Sequence, residues 1–432
     1  MSDIVSSRPF ADDATALHAA ERFGLTTFSN VCSHSTNATT DVFERRVAEL
    51  EGGVTAVAVA SGQAAQTLAI LNLAEAGDNI VASHSLQGGT SSLFSNTLPR
   101  LGIRTKFVSI HDLKAVAAAI DDKTRALYVE TVGNPALDVP DLEALARLAH
   151  DFNLPLVVDN TFAPALVKPI AHGADIVLHS ATEWIGGHGS SVGGVIVDGG
   201  RFDWGGTVRF RRFYNEPEPA YHGLRFAEAF GNVGSANIAF AARLRVLLRD
   251  IGASLSPLDA SLFLQALETL PQRIRQHSAN ALRVARFLEA HPAVSWVKYP
   301  GLTSHPTHPN AVKQLVGGFG GVLAFGVHGG EAAARQFTKN SRLFSPLANV
   351  SDAQSLVIHP WITTHEQLSE TDRCAAGASS DSDLVRLSIG LEDVDDLLAA
   401  LDHALHEAAG TAVARTVQLS ARSVRSTIVS AA

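Results

Sequence analysis

From Val54 onward, short apolar runs alternate with segments whose apolar residues recur every three or four positions. VTAVAVASGQ predicts a strand ending in a small-residue turn, and AAQTLAILNLAEAG the helix that the turn launches. NIVASHS, RTKFVSI, ALYVETVGN, LPLVVDN, ADIVLHS and GGVIVDGG predict further strands, with LEALARLAHDFN an amphipathic helix among them. Strands separated by helices predict parallel βαβ units, with ligands held beyond the carboxyl ends of the strands. After Trp204 the rhythm changes. RFRRFYNEPEPAYHG predicts an ordered but irregular excursion, and ANIAFAARLRVLLRDIG and LFLQALETLPQRIRQHSANALRVARFLEAH predict long helices. SWVKYPG, GGVLAFGV, RLFSPLA, SLVIHP and LVRLSIG then read as strands, and LEDVDDLLAALDHALHEAA as a closing helix. The fold class is α/β, with a smaller α+β domain at the carboxyl end.

The chain has 432 residues, 46% hydrophobic and 18% charged, enough to bury a large core. A net charge of −9 without any Lys/Arg-rich run argues against nucleic acid. Cys32 and Cys374 are too few for a disulfide framework and suit a reducing compartment. The start, MSDIVSSRPFADD, lacks the basic and apolar regions of a signal peptide, and no apolar run is long enough to span a bilayer. A cytoplasmic protein is expected.

Several segments carry a resemblance: NATTDVFERRVAELEGG, ASGQAAQTLAI, ETVGNPALDVPDLEALA, VVDNTFA, HSATEWIGGHGSSVGGVIVDGGRFDW, YHGLRFAEAFG, RLFSPLANVSDAQSLVIHP and LVRLSIGLEDVDDL. In order and spacing the chain resembles the Cys/Met-metabolism (transsulfuration) family of pyridoxal-phosphate (PLP) enzymes, and within it the O-acetylhomoserine sulfhydrylases. The resemblance implies the PLP-transferase fold type I, with a large, mostly parallel mixed sheet. It also implies a small-molecule substrate and a homo-oligomer, a dimer of dimers sharing its sites between subunits. The boundaries expected are an N-terminal arm over 1–35, a large domain over 36–235, a small domain over 236–409 and a loosely ordered tail over 410–432.

The same likeness brings departures. The family's Ser-Ala-Thr-Lys-Trp-type motif supplies the lysine that forms a Schiff base with PLP; here it reads Ser180-Ala181-Thr182-Glu183-Trp184. A carboxylate cannot condense with an aldehyde. The family's phosphate-binding tyrosine and arginine fall on Cys32 and His34, its ring-stacking tyrosine on Gln87, and a residue near the substrate pocket on Trp361. Losing amine, charge pairing and stacking ring together predicts no covalent cofactor, with PLP held weakly and non-covalently if at all.

Other positions match the family. Asp159 matches the partner of the pyridine nitrogen and Asn134 the neighbour of the ring hydroxyl. Ser61, Gly62 and Gln63 sit at a strand-to-helix turn suited to an anion, or serve as plain fold punctuation. Ser180 and Thr182 match phosphate contacts, and Arg386 the grip on a substrate carboxylate, or a structural ion pair. Glu183 and Asp159 as a carboxylate pair, with His34 as a third titratable group and Cys32 as a nucleophile, would suit water activation and hydrolysis.

Three readings follow. The first is a repurposed, PLP-independent enzyme, a hydrolase among the options. The second is a pseudoenzyme or the inactive partner of an intact paralogue in a hetero-oligomer. The third is a PLP-binding γ-replacement enzyme of amino-acid sulfur metabolism. The residues favour the first. No histidine spacing suggests a metal.

Overall fold

The computed structural model describes residues 37–134, 136–359 and 383–408. They form two compact units, one of the described residues up to Gly133 with Val139–Gln272, the other of Asn134–Asp138 with the described residues from Arg273 on. The expected break at 235/236 falls inside the first unit.

The first unit opens on α1 (Ala38–Glu51), begun by Asn37, whose Oδ1 accepts the Thr39 N–H at 2.9 Å. It ends at Gly52, where a φ of 77° would strain any other residue. There follow β1 (Thr55–Val59), α2 (Gly62–Leu71), β2 (Asn79–Ser83), β3 (Arg104–Val108), β4 (Thr124–Glu130), α3 (Leu142–Asp151), β5 (Leu156–Asp159), β6 (Ile176–Ser180) and β7 (Gly194–Asp198). They build one sheet in the order β1-β7-β6-β5-β4-β2-β3. Only β7 runs antiparallel to its neighbours. β1 therefore runs the same way as β5 and β6, and the carboxyl ends of all three lie on one edge of the sheet. Apart from the edge strand β3, which is exposed or half-buried along its length, the strands are almost wholly buried, with Val57, Val59, Leu68, Ile80 and Tyr128 in one apolar core. The irregular excursion after β7 is ordered, as its composition predicts: Phe210 and Tyr214 pack on Trp204, which stacks on Phe240 with centroids 5.3 Å apart. The unit then runs through α4 (Ala239–Ile251) and α5 (Pro257–Leu267).

The long helical stretch predicted next is broken. A new helix, α6 (Leu270–Ala290), starts with Pro271 in its first turn, where a missing N–H costs nothing. In the second unit β8 (Val294–Lys298), β9 (Val322–Val327), α7 (Gly330–Asn340), β10 (Ser345–Pro346), β11 (Leu356–Ile358) and β12 (Leu384–Ser388) follow. The sheet order is β10-β11-β12-β9-β8, antiparallel except between β10 and β11. The strand predicted from RLFSPLA shrinks to two residues because Pro346 cannot donate to a ladder. A helix over 394–408 closes the described chain. Among the described residues no helix is long and apolar enough to cross a membrane.

His277, on α6, is buried and donates through Nδ1 to the Ile389 carbonyl at 2.7 Å. Burial pushes its pKa down to about 4, against the opposing pull of that hydrogen bond. Between pH 6.5 and 4 the unfolded chain takes a proton here and the native chain does not, so stability falls on acidification, by about 3 kcal/mol between pH 7 and pH 4. Urea midpoints at the two pH values should therefore differ less for His277→Gln than for the parent; an equal difference would assign the acid limb to other groups.

Candidate active site

The shared edge of β1, β5 and β6 collects Ser61, Asp159 and Ser180. β1 hands over to α2 at Ser61, whose Oγ accepts the Ala64 N–H at 3.0 Å and caps the helix. The first-turn N–H groups beyond it have no intrahelical acceptor and point along the positive end of the helix dipole, as an anion requires. Gly62 is needed here: a Cβ would lie 2.4 Å from that of Ser180. The start of α2 is pressed against the end of β6.

Asp159 ends β5 and is 7% exposed. Its Oδ1 accepts from the Thr161 N–H at 2.9 Å and Oγ1 at 2.5 Å, and its Oδ2 from Gln66 Nε2 at 3.0 Å and the Tyr128 hydroxyl at 3.3 Å. Burial beside this carboxylate drives the Tyr128 phenol well up, so it stays a donor. Thr161 Oγ1 also accepts the Ser180 N–H at 2.8 Å, tying Asp159 to the end of β6. Sequence reasoning missed Gln66, Tyr128 and Thr161. The Asp-x-Thr spacing was a local signal for Thr161; the other two are 93 and 31 residues from Asp159 and visible only in the fold.

Glu183 lies in the turn after β6 with its carboxyl hydrogen-bonded to Ser180. Its Oε2 is sealed from solvent and has no hydrogen-bond partner among the described residues. Burial, reinforced by the Asp159 charge, pushes this carboxyl above its usual range despite the Ser180 bond. Thr182 is placed differently: its hydroxyl donates to the Gly193 carbonyl at 3.3 Å and accepts the Gly193 N–H at 3.1 Å. Gln63 is exposed, with its Nε2 over Gly89. Gln87 caps the short helix Gly88–Ser92, its Oε1 accepting the Thr90 N–H at 3.1 Å.

In the second unit Arg386, on β12, is 4% exposed. Its Nη1 donates to Asn134 Oδ1 and its Nη2 to the Asn349 carbonyl, both at 3.4 Å. Burial lowers its pKa to about 10, which leaves it cationic at neutral pH. A buried guanidinium with two long bonds to neutral acceptors retains donors for a carboxylate. Cys32, His34, Trp361 and Cys374 lie outside the described residues.

One histidine group does bring three ligand atoms within 4.8 Å of one another: His291, Asp402 and His406. His291 Nδ1 accepts the Ala293 N–H at 3.1 Å, which leaves its proton on Nε2, facing Asp402 Oδ1 at 3.3 Å. As folded, this histidine gives Asp402 a proton rather than a metal a lone pair.

Residues 4–406 match the family described as Cys/Met metabolism PLP-dependent enzyme. The chain belongs to that family. It is 51% identical to the sulfhydrylase FUB7 of Fusarium oxysporum f. sp. lycopersici over 94% of this chain and 92% of that one. It is 50% identical to the O-acetyl-L-homoserine sulfhydrylase of Leptospira meyeri over 90% and 88% of the two. A crystal structure of a putative O-acetylhomoserine (thiol)-lyase from Campylobacter jejuni superposes with a TM-score of 0.88 at 37% identity, over 93% and 94% of the chains, and carries N′-pyridoxyl-lysine-5′-monophosphate. The fold is that of this PLP-dependent family, as the resemblance implied.

These findings correct one expectation. A chain without covalent PLP was read from Glu183 and its companion departures; the family is PLP-dependent and its sulfhydrylases match this chain almost end to end. Five departing residues in a chain that keeps the scaffold weigh less than that likeness. Two parts of the crown formed where β1, β5 and β6 end fit the group: the Ser61–Gln63 turn with Ser180 suits its phosphate, and Asp159, held by four donors, its ring nitrogen. At position 183 this chain presents a carboxyl and no amine.

Proposed function

We propose that this Cys/Met metabolism enzyme is a PLP-dependent sulfhydrylase of amino-acid sulfur metabolism, which replaces the γ-substituent of an O-acylated homoserine with sulfide. The observation that carries the reading is half-identity, over nine-tenths of the chain, to proteins named sulfhydrylases or homocysteine synthases. PLP supplies an electron-withdrawing pyridinium to such a reaction. Asp159 would hold the ring nitrogen protonated, and Gln66, Tyr128 and Thr161 would keep its carboxylate from turning away. The Ser61–Gln63 turn and Ser180 would anchor the phosphate. Arg386 is the group suited to the substrate carboxylate. Glu183 can hold or release a proton at Oε2, which has no hydrogen-bond partner among the described residues. Hydrolysis by the Asp159–Glu183 pair draws no support from relatives named for sulfide transfer.

Full-length protein incubated with PLP, O-acetyl-L-homoserine and sulfide should form homocysteine, in amounts that depend on added cofactor. Arg386→Ala should raise KM for the ester more than it lowers kcat. No PLP binding and no thiol product would overturn the proposal.

A further inference from the structure

The crown has an unusual charge pattern. One end, the start of α2, is an anion cradle closed by Gly62 against Ser180. The other end carries two carboxyls, Asp159 and Glu183, linked through Thr161 and Ser180. Both oxygens of Asp159 are braced by protein donors. Glu183 is not: Oε2 is buried and lacks a hydrogen-bond partner among the described residues, a position costly unless a ligand supplies a donor. The ligand that complements this wall has a phosphate at one end and two cationic nitrogens at the other.

An aldehyde offers the ionised Glu183 carboxylate only another acceptor oxygen, lone pair against lone pair, and can bond only to its protonated form. An ammonium offers N–H donors and a positive charge. We infer that Glu183 is a selectivity residue for the amine form of the cofactor, pyridoxamine 5′-phosphate, which would set its phosphate on the Ser61–Gln63 turn, its ring nitrogen on Asp159 and its ammonium on Glu183. The inference rests on the proposed function in that both need the crown to hold a phosphorylated pyridine. It goes further in naming the substituent that the crown prefers and the residue that selects it.

Isothermal titration of the full-length protein with pyridoxamine 5′-phosphate, pyridoxal 5′-phosphate and inorganic phosphate tests it. The amine form should bind at least about tenfold more tightly than the aldehyde, as one charge-assisted hydrogen bond allows. Glu183→Gln, nearly the same shape, should bring the two within about threefold. Glu183→Lys should reverse the order. Its new amine would condense with the aldehyde with loss of water, and borohydride would fix the adduct as a mass increase on the peptide containing residue 183. Aldehyde binding as tight as amine binding in the parent, or a preference that survives Glu183→Gln, overturns the inference while leaving the proposed function standing. Binding of neither pyridine compound, with phosphate alone or nothing bound, overturns both.

Discussion

Glu44→Ala should cost about 3–5 kcal/mol of stability, the loss expected when one partner of a buried ion pair is removed. Glu44, on α1, is 6% exposed and meets Arg245, on α4, through Oε2 and Nη2 at 2.6 Å. The pair does more than neutralise itself. β1 is an edge strand of the seven-stranded sheet, so among the described residues one side of its backbone has no neighbouring strand. Glu44 Oε1 accepts the Ala58 N–H at 2.8 Å, and Arg245 Nη2 donates to the Ala56 carbonyl at 3.0 Å. Two side chains thus substitute for the missing strand, a device against edge-to-edge pairing. Alanine at 44 takes the carboxylate from a largely buried guanidinium and the acceptor from the Ala58 N–H together. Urea unfolding of Glu44→Ala, Arg245→Met and the double variant would separate the effects. The double variant should be less destabilised than the sum of the singles, because neither charge is then left alone. Additivity would show that the two residues act independently.

That pair also marks where sequence reading stops. The seven strands of the first sheet are legible because each is a short apolar run between turn residues, and a buried parallel sheet needs such runs. Their order is not legible, since β7 inserts between β1 and β6 by contacts over more than a hundred residues. Ser61, Asp159 and Ser180 could be named because strand ends and small-residue turns write themselves locally. Gln66 could not, since only the packing of α2 on the sheet brings it to Asp159, and Glu44 and Arg245 stand 201 residues apart. Thr182 shows the converse. Its position in a motif suggested a ligand contact, whereas the fold commits its hydroxyl to the Gly193 backbone. Glu183 was legible as a residue type, but its weight was misjudged. Side-chain chemistry at Glu183 and its companion departures predicted the loss of a covalent cofactor, while the likeness of the rest of the chain speaks for the cofactor family.

Asp159→Asn should weaken binding of either pyridine phosphate about a hundredfold, the loss of one strong charge-assisted hydrogen bond to the ring nitrogen. The substitution is nearly isosteric, yet the site cannot absorb it. Both oxygens of Asp159 face donors: Thr161 N–H and Oγ1 on one side, Gln66 Nε2 and Tyr128 on the other. Whichever way an asparagine amide turns, its NH₂ group meets donors. Thr161 and Tyr128 can rotate their hydroxyl hydrogens away, and Gln66 can flip, because its Oε1 has no hydrogen-bond partner among the described residues. The Thr161 backbone N–H cannot rotate away. The amide oxygen should therefore settle toward Thr161 and the NH₂ toward a flipped Gln66, leaving the fold within about 1–2 kcal/mol of the parent. Binding and stability should thus separate, with a large fall in affinity and a modest shift in Tm. Gln66→Glu on the Asp159→Asn background restores a carboxylate to the cluster and should recover part of the affinity. An Asp159→Asn protein that binds pyridoxal 5′-phosphate as tightly as the parent would mean that Asp159 serves only to knit β5 to its neighbours.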